Sequence, residues 1–329
     1  MPIALAAALA LFSASPADDG VIRQVQDAPP VAGSPGAVDL GEITVDGRRL
    51  EDMTRSFVQE VAAPARNRGL ARWRTGLCVG VANLQNDVAQ YIVDRVSTVA
   101  EDLGLVVGEP GCTPTALIVA VADANAFTPD FVAKRPRLFR VGGAGMDQGG
   151  AALERFIRND QPVRWWVVSA PTDNDTGQIA VRLFGHHNYV HNTSTSAFER
   201  PENFAPQIYT RGASRLSTQI VDDTKRVFVI VDVDKLGEVT TEQLADYVAF
   251  VTLAQIDPQA DTSGYLSVLN VFDEPTQTSG LTQWDRAYLT GLYDSVRTRK
   301  DLRAGATEII ASIVDARRDM EADEQPEGN

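Results

Sequence analysis

The chain has 329 residues, of which 44% are hydrophobic and 22% charged, and 44 acidic residues against 30 basic ones give a net charge of -14. This composition is typical of a globular protein with one large or two modest domains, and it excludes a disordered tail, a collagen or coiled-coil rod, and a disulfide-dense mini-protein. The acidic balance argues against nucleic-acid binding, which needs clustered Lys and Arg, and no apolar run reaches the roughly 18–20 residues of a membrane span.

The first 17 residues have the pattern of a secretory signal peptide. An apolar run, Ile3 to Phe12, is followed by the small residues of Ser13 to Ala17. A buried N-terminal helix is the alternative, but it would show polar positions at helical spacing, and this run has none. The pattern therefore predicts export to the periplasm or out of the cell. Residues 18–37 are rich in Pro, Gly and Ala, which predicts a flexible linker.

After the linker, Glu42 to Arg49 predicts a short strand that ends in a turn. These eight residues are similar to the opening of the plug in TonB-dependent outer-membrane receptors, although no series of alternating barrel strands follows. The similarity implies a structural partner of an outer-membrane complex, whereas the plain interpretation is a leading strand. A helix is predicted from Leu50 to about Asn67.

The two cysteines, Cys78 and Cys112, bound a strand–helix–strand unit. Apolar runs follow each cysteine, and the residues between them repeat apolar side chains at steps of three and four, at Val88, Ile92, Val96, Val99 and Leu103. Such a unit sets two parallel strands side by side with their starts at one edge. A structural disulfide across the two starts is therefore predicted. A redox pair or a metal site is the alternative, but the CxxC spacing and further cysteines are absent.

The middle of the chain predicts a basic turn region over Pro129 to Arg140 and a strand over Arg164 to Ser169. The segment 171–206 has the turn-rich composition of a loop. It divides a predicted globular domain, residues 38–318, into possible halves of 38–170 and 207–318. A nearly continuous apolar run from Arg226 to Val233 predicts a strand that is buried on both faces.

Two sets of side chains in this middle region are candidate ligand-binding groups. Trp165 and Trp166 could form a stacking surface, and Arg211 and Arg215 could supply guanidinium groups for an anionic or glycan ligand. The alternative is that the tryptophans are core residues and the arginines surface residues.

All three histidines of the chain, His186, His187 and His191, lie within six residues. On a helix, His187 and His191 would share a face and could bind zinc or copper. The Asn, Thr and Ser residues that follow favour a loop instead, which seldom supplies the supporting contacts of a preformed metal site. The alternatives are thus a metal site and a solvated or crevice-lining loop, with no cofactor in the second case.

The C-terminal third is predicted to be mostly helical. Thr240 and Gln243 have capping-box spacing ahead of a helix that is apolar on nearly every side, from Leu244 to Ile256. A second capping box, at Thr282 and Asp285, precedes a helix that runs through Tyr293. Residues 319–329 are predicted to form an acidic, frayed tail.

This order of elements resembles the C-terminal half of zincin metallopeptidases over residues 226 to 294. It resembles more closely uncharacterised secreted proteobacterial families, of alphaproteobacterial type, that keep a zincin-like frame and have lost the zinc ligands. The zincin motif is His-Glu-x-x-His-x-x-Gly-x-x-His. The resemblance relates its five defined positions, and the methionine of the Met-turn, to Tyr247, Val248, Val251, Ala254, Asp257 and Leu269.

Zinc hydrolysis needs two imidazoles one helical turn apart and a carboxylate that takes a proton from the bound water. Tyr247, Val248 and Val251 supply neither, so no zinc peptidase activity is expected from this helix. We therefore expect an α/β or α+β protein with a zincin-like C-terminal half. The leading expectation for its function is a non-enzymatic envelope or secreted protein that binds a peptide, a protein or a glycan. The alternative is a metal-binding protein or metalloenzyme that uses the histidine loop.

Overall fold

A computed structural model describes residues 40–74, 76–139, 148–180 and 215–324 of the chain. The residues from Thr44 onward group into one compact unit, to which the following description refers. The predicted signal peptide, the linker and the loop residues 181–206 lie outside the described residues. Within the described ranges the helices are α1 (Leu40–Val61), α2 (Asn86–Asp102), α3 (Ala124–Lys134), α4 (Gly150–Arg158), α5 (Thr241–Leu253), α6 (Gln283–Asp294) and α7 (Leu302–Glu324). The strands are β1 (Val79–Ala82), β2 (Ala116–Val121), β3 (Val163–Asp173) and β4 (Ile220–Asp232).

The four strands form one mixed sheet in the order β1-β2-β4-β3, so the mixed α/β class is confirmed. Strands β1, β2 and β4 are parallel, and β3 pairs antiparallel to β4. The predicted strand–helix–strand unit is confirmed as β1-α2-β2. In α2 the buried residues Ile92, Val96 and Val99 lie on one face, as their spacing of four and three requires.

Each face of the sheet covers its own apolar core, which explains the continuous apolar run in β4. Val227, Val229 and Val231 point into a large core shared with helices α1, α2, α5, α6 and α7. Phe228 and Ile230 point into a smaller core beneath α3 and α4. The prediction that this strand is buried on both faces is confirmed.

The disulfide joins Cys78 and Cys112, with a Cα–Cα distance of 6.1 Å. Cys78 directly precedes β1, and Cys112 lies four residues before β2, so the bond ties together the starts of two paired parallel strands. It closes a ring across a sequence separation of 34 residues. A cross-link of that span removes conformational freedom from the unfolded chain.

We expect reduction of this disulfide to lower the free energy of unfolding by about 3 kcal/mol, because the ring restricts the unfolded ensemble. Urea unfolding with and without a thiol reductant measures the difference. The matched control is Cys78→Ala/Cys112→Ala, whose unfolding should not respond to the reductant. Equal midpoints for the oxidised and reduced wild-type protein would contradict the expectation.

The prediction of a strand ahead of the first helix is wrong. The segment Glu42 to Arg49 belongs to helix α1 and is not a strand. Thr54, Phe57, Val58 and Val61 form the buried face of the same helix. Once that face is packed against the core, adding further turns at the N-terminus of the helix costs little free energy. The β-branched residues between Glu42 and Arg49 are too few to prevent it.

The predicted turn over Pro129 to Arg140 is instead the second half of α3, followed by a short 3₁₀ helix at Pro136–Leu138. Pro129 lies inside α3, where it costs about 3 kcal/mol in an isolated helix. Packing outweighs that cost, because the ring of Phe131 lies 5.5 Å from that of Phe228 and 5.3 Å from that of Phe139. The side chain of Asp123 caps the start of the helix.

The C-terminal third confirms both capping boxes, at Thr240 with Gln243 and at Thr282 with Asp285. Helix α5 is buried from Gln243 to Leu253, as the apolar pattern predicts. Helix α7 packs along α6 and continues to Glu324, so it includes the first residues of the predicted acidic tail. Residues 325–329 lie outside the described part of the chain.

Candidate ligand-binding site

A cavity of about 270 Å³ lies beside the middle of α5, next to the start of β3. Helix α5 contributes Tyr247, and strand β3 contributes Trp165. Gln161 lies two residues before β3. The remaining wall comes from the chain between α5 and α6. Its lining residues are Asp257, Pro258, Ala260, Asp261, Thr262, Ser263, Leu269, Asn270, Asp273 and Glu274.

Two aromatic rings form one side of the cavity. The ring centroids of Trp165 and Tyr247 lie 6.0 Å apart, and the two planes are at 73°. The indole of Trp165 is held in place because its Nε1–H donates to the carbonyl oxygen of Ile256, at 3.0 Å. Tyr247 also packs edge-on against Phe272, with centroids 4.9 Å apart. The two rings thus meet nearly at a right angle and are fixed before any ligand arrives.

The hydroxyl of Tyr247 has no hydrogen-bond partner within the described part of the chain, although its side chain is 95% buried. Burial raises the pKa of Tyr247, and the negative charge of Asp273 raises it further. The phenol is therefore protonated at neutral pH. Its oxygen remains available to a ligand group in the cavity.

The rest of the cavity lining is largely acidic. Four lining side chains are carboxylates, and none of the lining residues that the structure describes is Lys, Arg or His. Asp261 is oriented by the amide and hydroxyl of Ser263, at 3.1 and 2.7 Å, and these hydrogen bonds lower the pKa of Asp261. Glu60 of α1 accepts from the amide of Asp261 at 2.8 Å, which brings a fifth carboxylate to this rim. The cavity therefore favours positive charge.

Hydrogen bonds hold the lining residues Asn270 and Gln161 in place. Asn270 donates to the carbonyl oxygens of Thr262 and Tyr265, at 2.9 and 2.7 Å, and accepts from the Thr262 hydroxyl at 2.5 Å. Gln161 donates to the carbonyl oxygen of Pro258 at 2.8 Å. The bonds of Asn270 hold the loop between α5 and α6 in its fold, and the bond of Gln161 ties that loop to the residues before β3, so the cavity is preformed.

The positions singled out by the zincin resemblance separate into two groups. Tyr247, Asp257 and Leu269 line the cavity. Val248, Val251 and Ala254 are buried in the large core. Helix α5 thus presents a phenol to the cavity where a zinc enzyme would present imidazoles, and the arrangement can hold a ligand but offers no nitrogen ligand from this helix.

Trp165 and Trp166 do not form a joint stacking surface, because neighbouring residues of a strand point to opposite faces. Trp166 lies in the smaller core, where its Nε1–H donates to the carbonyl oxygen of Phe139 at 2.9 Å. Arg215 is exposed and does not line the cavity, and Arg211 lies outside the described residues. Of the three candidates among the described residues, only Trp165 lines the cavity.

His186, His187 and His191 lie outside the described residues, so the predicted zinc or copper site remains a prediction. Within the described ranges, no group of three or more His, Cys, Asp or Glu side chains is arranged to hold a metal ion. Asp173, an oxygen donor close to these histidines in sequence, organises a turn: it accepts from the amides of Asp175 and Thr176, at 3.1 and 2.7 Å.

Sequence reasoning missed the acidic residues Asp261, Asp273 and Glu274. One usable signal was present, since these carboxylates flank the Ser267 to Phe272 element on both sides without basic neighbours. What the sequence could not show is that the chain folds this element back over Tyr247.

No family model, curated protein or solved structure matches the chain. In the described residues, no helix has the length and apolar character to cross a membrane. Function is therefore inferred from the chemistry of the cavity.

Proposed function

We propose that the protein is an exported, non-catalytic binding protein of the cell envelope, and that the cavity beside α5 receives a side chain of a peptide or protein ligand. The observation that carries the proposal is a preformed cavity with two fixed aromatic rings, four carboxylates and an unpaired phenol. Such a concave site with a few convergent polar groups is the usual form of a binding site. The Cys78–Cys112 disulfide is compatible with an oxidising compartment.

Binding is favoured over hydrolysis by the residues of α5. Tyr247 cannot replace an imidazole as a zinc ligand while it stays protonated, and Val248 cannot act as a general base. A peptide or protein ligand is favoured over an acidic glycan because the carboxylates of Asp257, Asp261 and Asp273 would repel it.

The test is to expose the full-length protein to a soluble random peptide library and to identify retained peptides by mass spectrometry. We expect retention of intact peptides. Ala260→Trp, which fills the cavity from its half-buried rim, should abolish retention. Ala322→Trp, at an exposed position of α7, is the matched control and should retain the same peptides as the wild type. Cleaved peptides, no retention at all, or equal retention by Ala260→Trp would each contradict the proposal.

A further inference from the structure

We infer that the cavity beside α5 selects a basic side chain, a lysine ammonium or an arginine guanidinium, from its ligand. This inference rests on the proposed function and adds the chemical class of the group that is bound. Three features of the described residues lead to it: the carboxylates without an ion pair, the two aromatic rings set at an angle, and the hydroxyl of Tyr247 without a hydrogen-bond partner.

The first feature is charge. Asp257, Asp261, Asp273 and Glu274 line one cavity, and none of them forms an ion pair within the described part of the chain. Elsewhere several buried or half-buried carboxylates are paired with arginines, as Asp222 is with Arg68 at 2.5 Å. A cation entering the cavity would meet several negative charges without displacing a resident partner. An anion in the same position would be repelled by these carboxylates.

The second feature is the pair of rings. Trp165 and Tyr247 present aromatic surface at 73° to one another, and both side chains are at least 95% buried. The faces of aromatic rings carry negative potential and attract cations, most strongly where water is excluded. The aliphatic stem of Lys or Arg would pack on this surface while its charged end reached the carboxylates.

The third feature decides between kinds of cation. The side chain of Tyr247 lines the cavity, and its hydroxyl has no hydrogen-bond partner within the described part of the chain, so its oxygen is free to accept a hydrogen bond from a ligand. An N–H donor of an ammonium or guanidinium group can bond to this oxygen. A quaternary ammonium has no N–H and leaves the hydroxyl unpaired. We therefore expect a preference for Lys and Arg over trimethyl-lysine.

The experiment is isothermal titration of the full-length protein, at low salt, with blocked pentapeptides Gly-Gly-X-Gly-Gly. The central residue X is Lys, Arg, norleucine or trimethyl-lysine. We expect the Lys and Arg peptides to bind about tenfold more tightly than the norleucine peptide, a difference of about 1.4 kcal/mol. Added salt should reduce the difference, because the carboxylates are partly exposed to solvent.

The variant Asp273→Asn/Glu274→Gln should weaken binding of the Lys peptide by about five- to tenfold and leave the norleucine peptide unchanged. Both side chains are exposed, so the fold is expected to tolerate the change. The matched control is Asp319→Asn/Asp323→Asn, which makes the same change in net charge at exposed positions of α7. It should leave the affinity for the Lys peptide at the wild-type value.

The outcomes separate the two proposals. Norleucine and Lys peptides of equal affinity, both lost in Ala260→Trp, would overturn the selection of a cation and leave the binding function standing. Trimethyl-lysine bound as tightly as Lys would overturn the role of the Tyr247 hydroxyl. A tighter complex with free 1,5-diaminopentane than with the Lys peptide would identify a free polyamine and overturn the side-chain assignment. Failure of both the library and the pentapeptides to bind would overturn the proposed function itself.

Discussion

Gly291→Ala is expected to lower the free energy of unfolding by about 5 kcal/mol, enough to detach α7 from the rest of the molecule. A Cβ at residue 291 would lie 2.5 Å from the Cα of Ile313 and closer still to its amide nitrogen. The obstacle is backbone, so no side chain can rotate away and α7 itself must move. That movement exposes Ile310, Ile313 and Val314, each of which contributes roughly 1.5–3 kcal/mol by burial.

Gly305→Ala in α7 is the matched control for this substitution. A Cβ there would meet only the Cβ of Arg299, at 3.9 Å, which is ordinary van der Waals contact. In a helix, Ala is favoured over Gly by about 0.5–1 kcal/mol, so this variant should be slightly stabilised. Urea unfolding measures both, and limited proteolysis reports the release of α7. Equal stability of Gly291→Ala and the wild type would mean that α6 and α7 are farther apart than described.

Asp285→Ala is expected to lower the free energy of unfolding by about 4 kcal/mol. The fully buried carboxylate accepts from the Ser267 hydroxyl at 2.6 Å, the Val268 amide at 2.8 Å and the Thr282 amide at 3.0 Å. Burial raises the pKa of Asp285, and these donors act in the opposite direction. Alanine would leave the Ser267 and Val268 donors buried and unpaired, at about 1–3 kcal/mol each, and would remove the partner of the half-buried Thr282 amide.

Asp285→Asn separates the hydrogen bonds from the charge. Its amide oxygen can accept from the two backbone amides while its nitrogen donates to the Ser267 oxygen, so a loss of only about 1–2 kcal/mol is expected. Asp319→Ala, at an exposed position of α7, is the control and should change stability by less than about 0.5 kcal/mol. Chemical denaturation ranks the three variants. If Asp285→Asn were as damaging as Asp285→Ala, the charge would be the dominant contribution.

Local patterns predicted much of the fold because several of its elements are determined by nearby residues. The capping boxes at Thr240 and Thr282, the apolar face of α2 and the doubly buried run of β4 are each complete within one segment. The failures lie where a distant contact outweighs local preference. Pro129 remains inside a helix because Phe131 packs against Phe228. The residues around Pro129 in the sequence do not predict that contact.

The candidate site was predictable only in fragments. Trp165 was singled out from its residue type, but pairing it with Trp166 ignored the alternation of side chains along a strand. Tyr247, Asp257 and Leu269 were compared with zincin positions and do line one cavity. Asp273 reaches that cavity through the fold of the chain between α5 and α6, which depends on buried hydrogen bonds such as those of Asn270 and Asp285.

The antiparallel direction of β3 places the cavity and the disulfide at opposite ends of the sheet. Val163, at the start of β3, pairs with Val231, near the C-terminal end of β4. The cavity beside Trp165 therefore lies at the C-terminal ends of the parallel strands. The Cys78–Cys112 bond lies at the N-terminal ends of the parallel strands β1 and β2. A ligand in the cavity and a change in the redox state of the disulfide would therefore act at opposite ends of the same sheet.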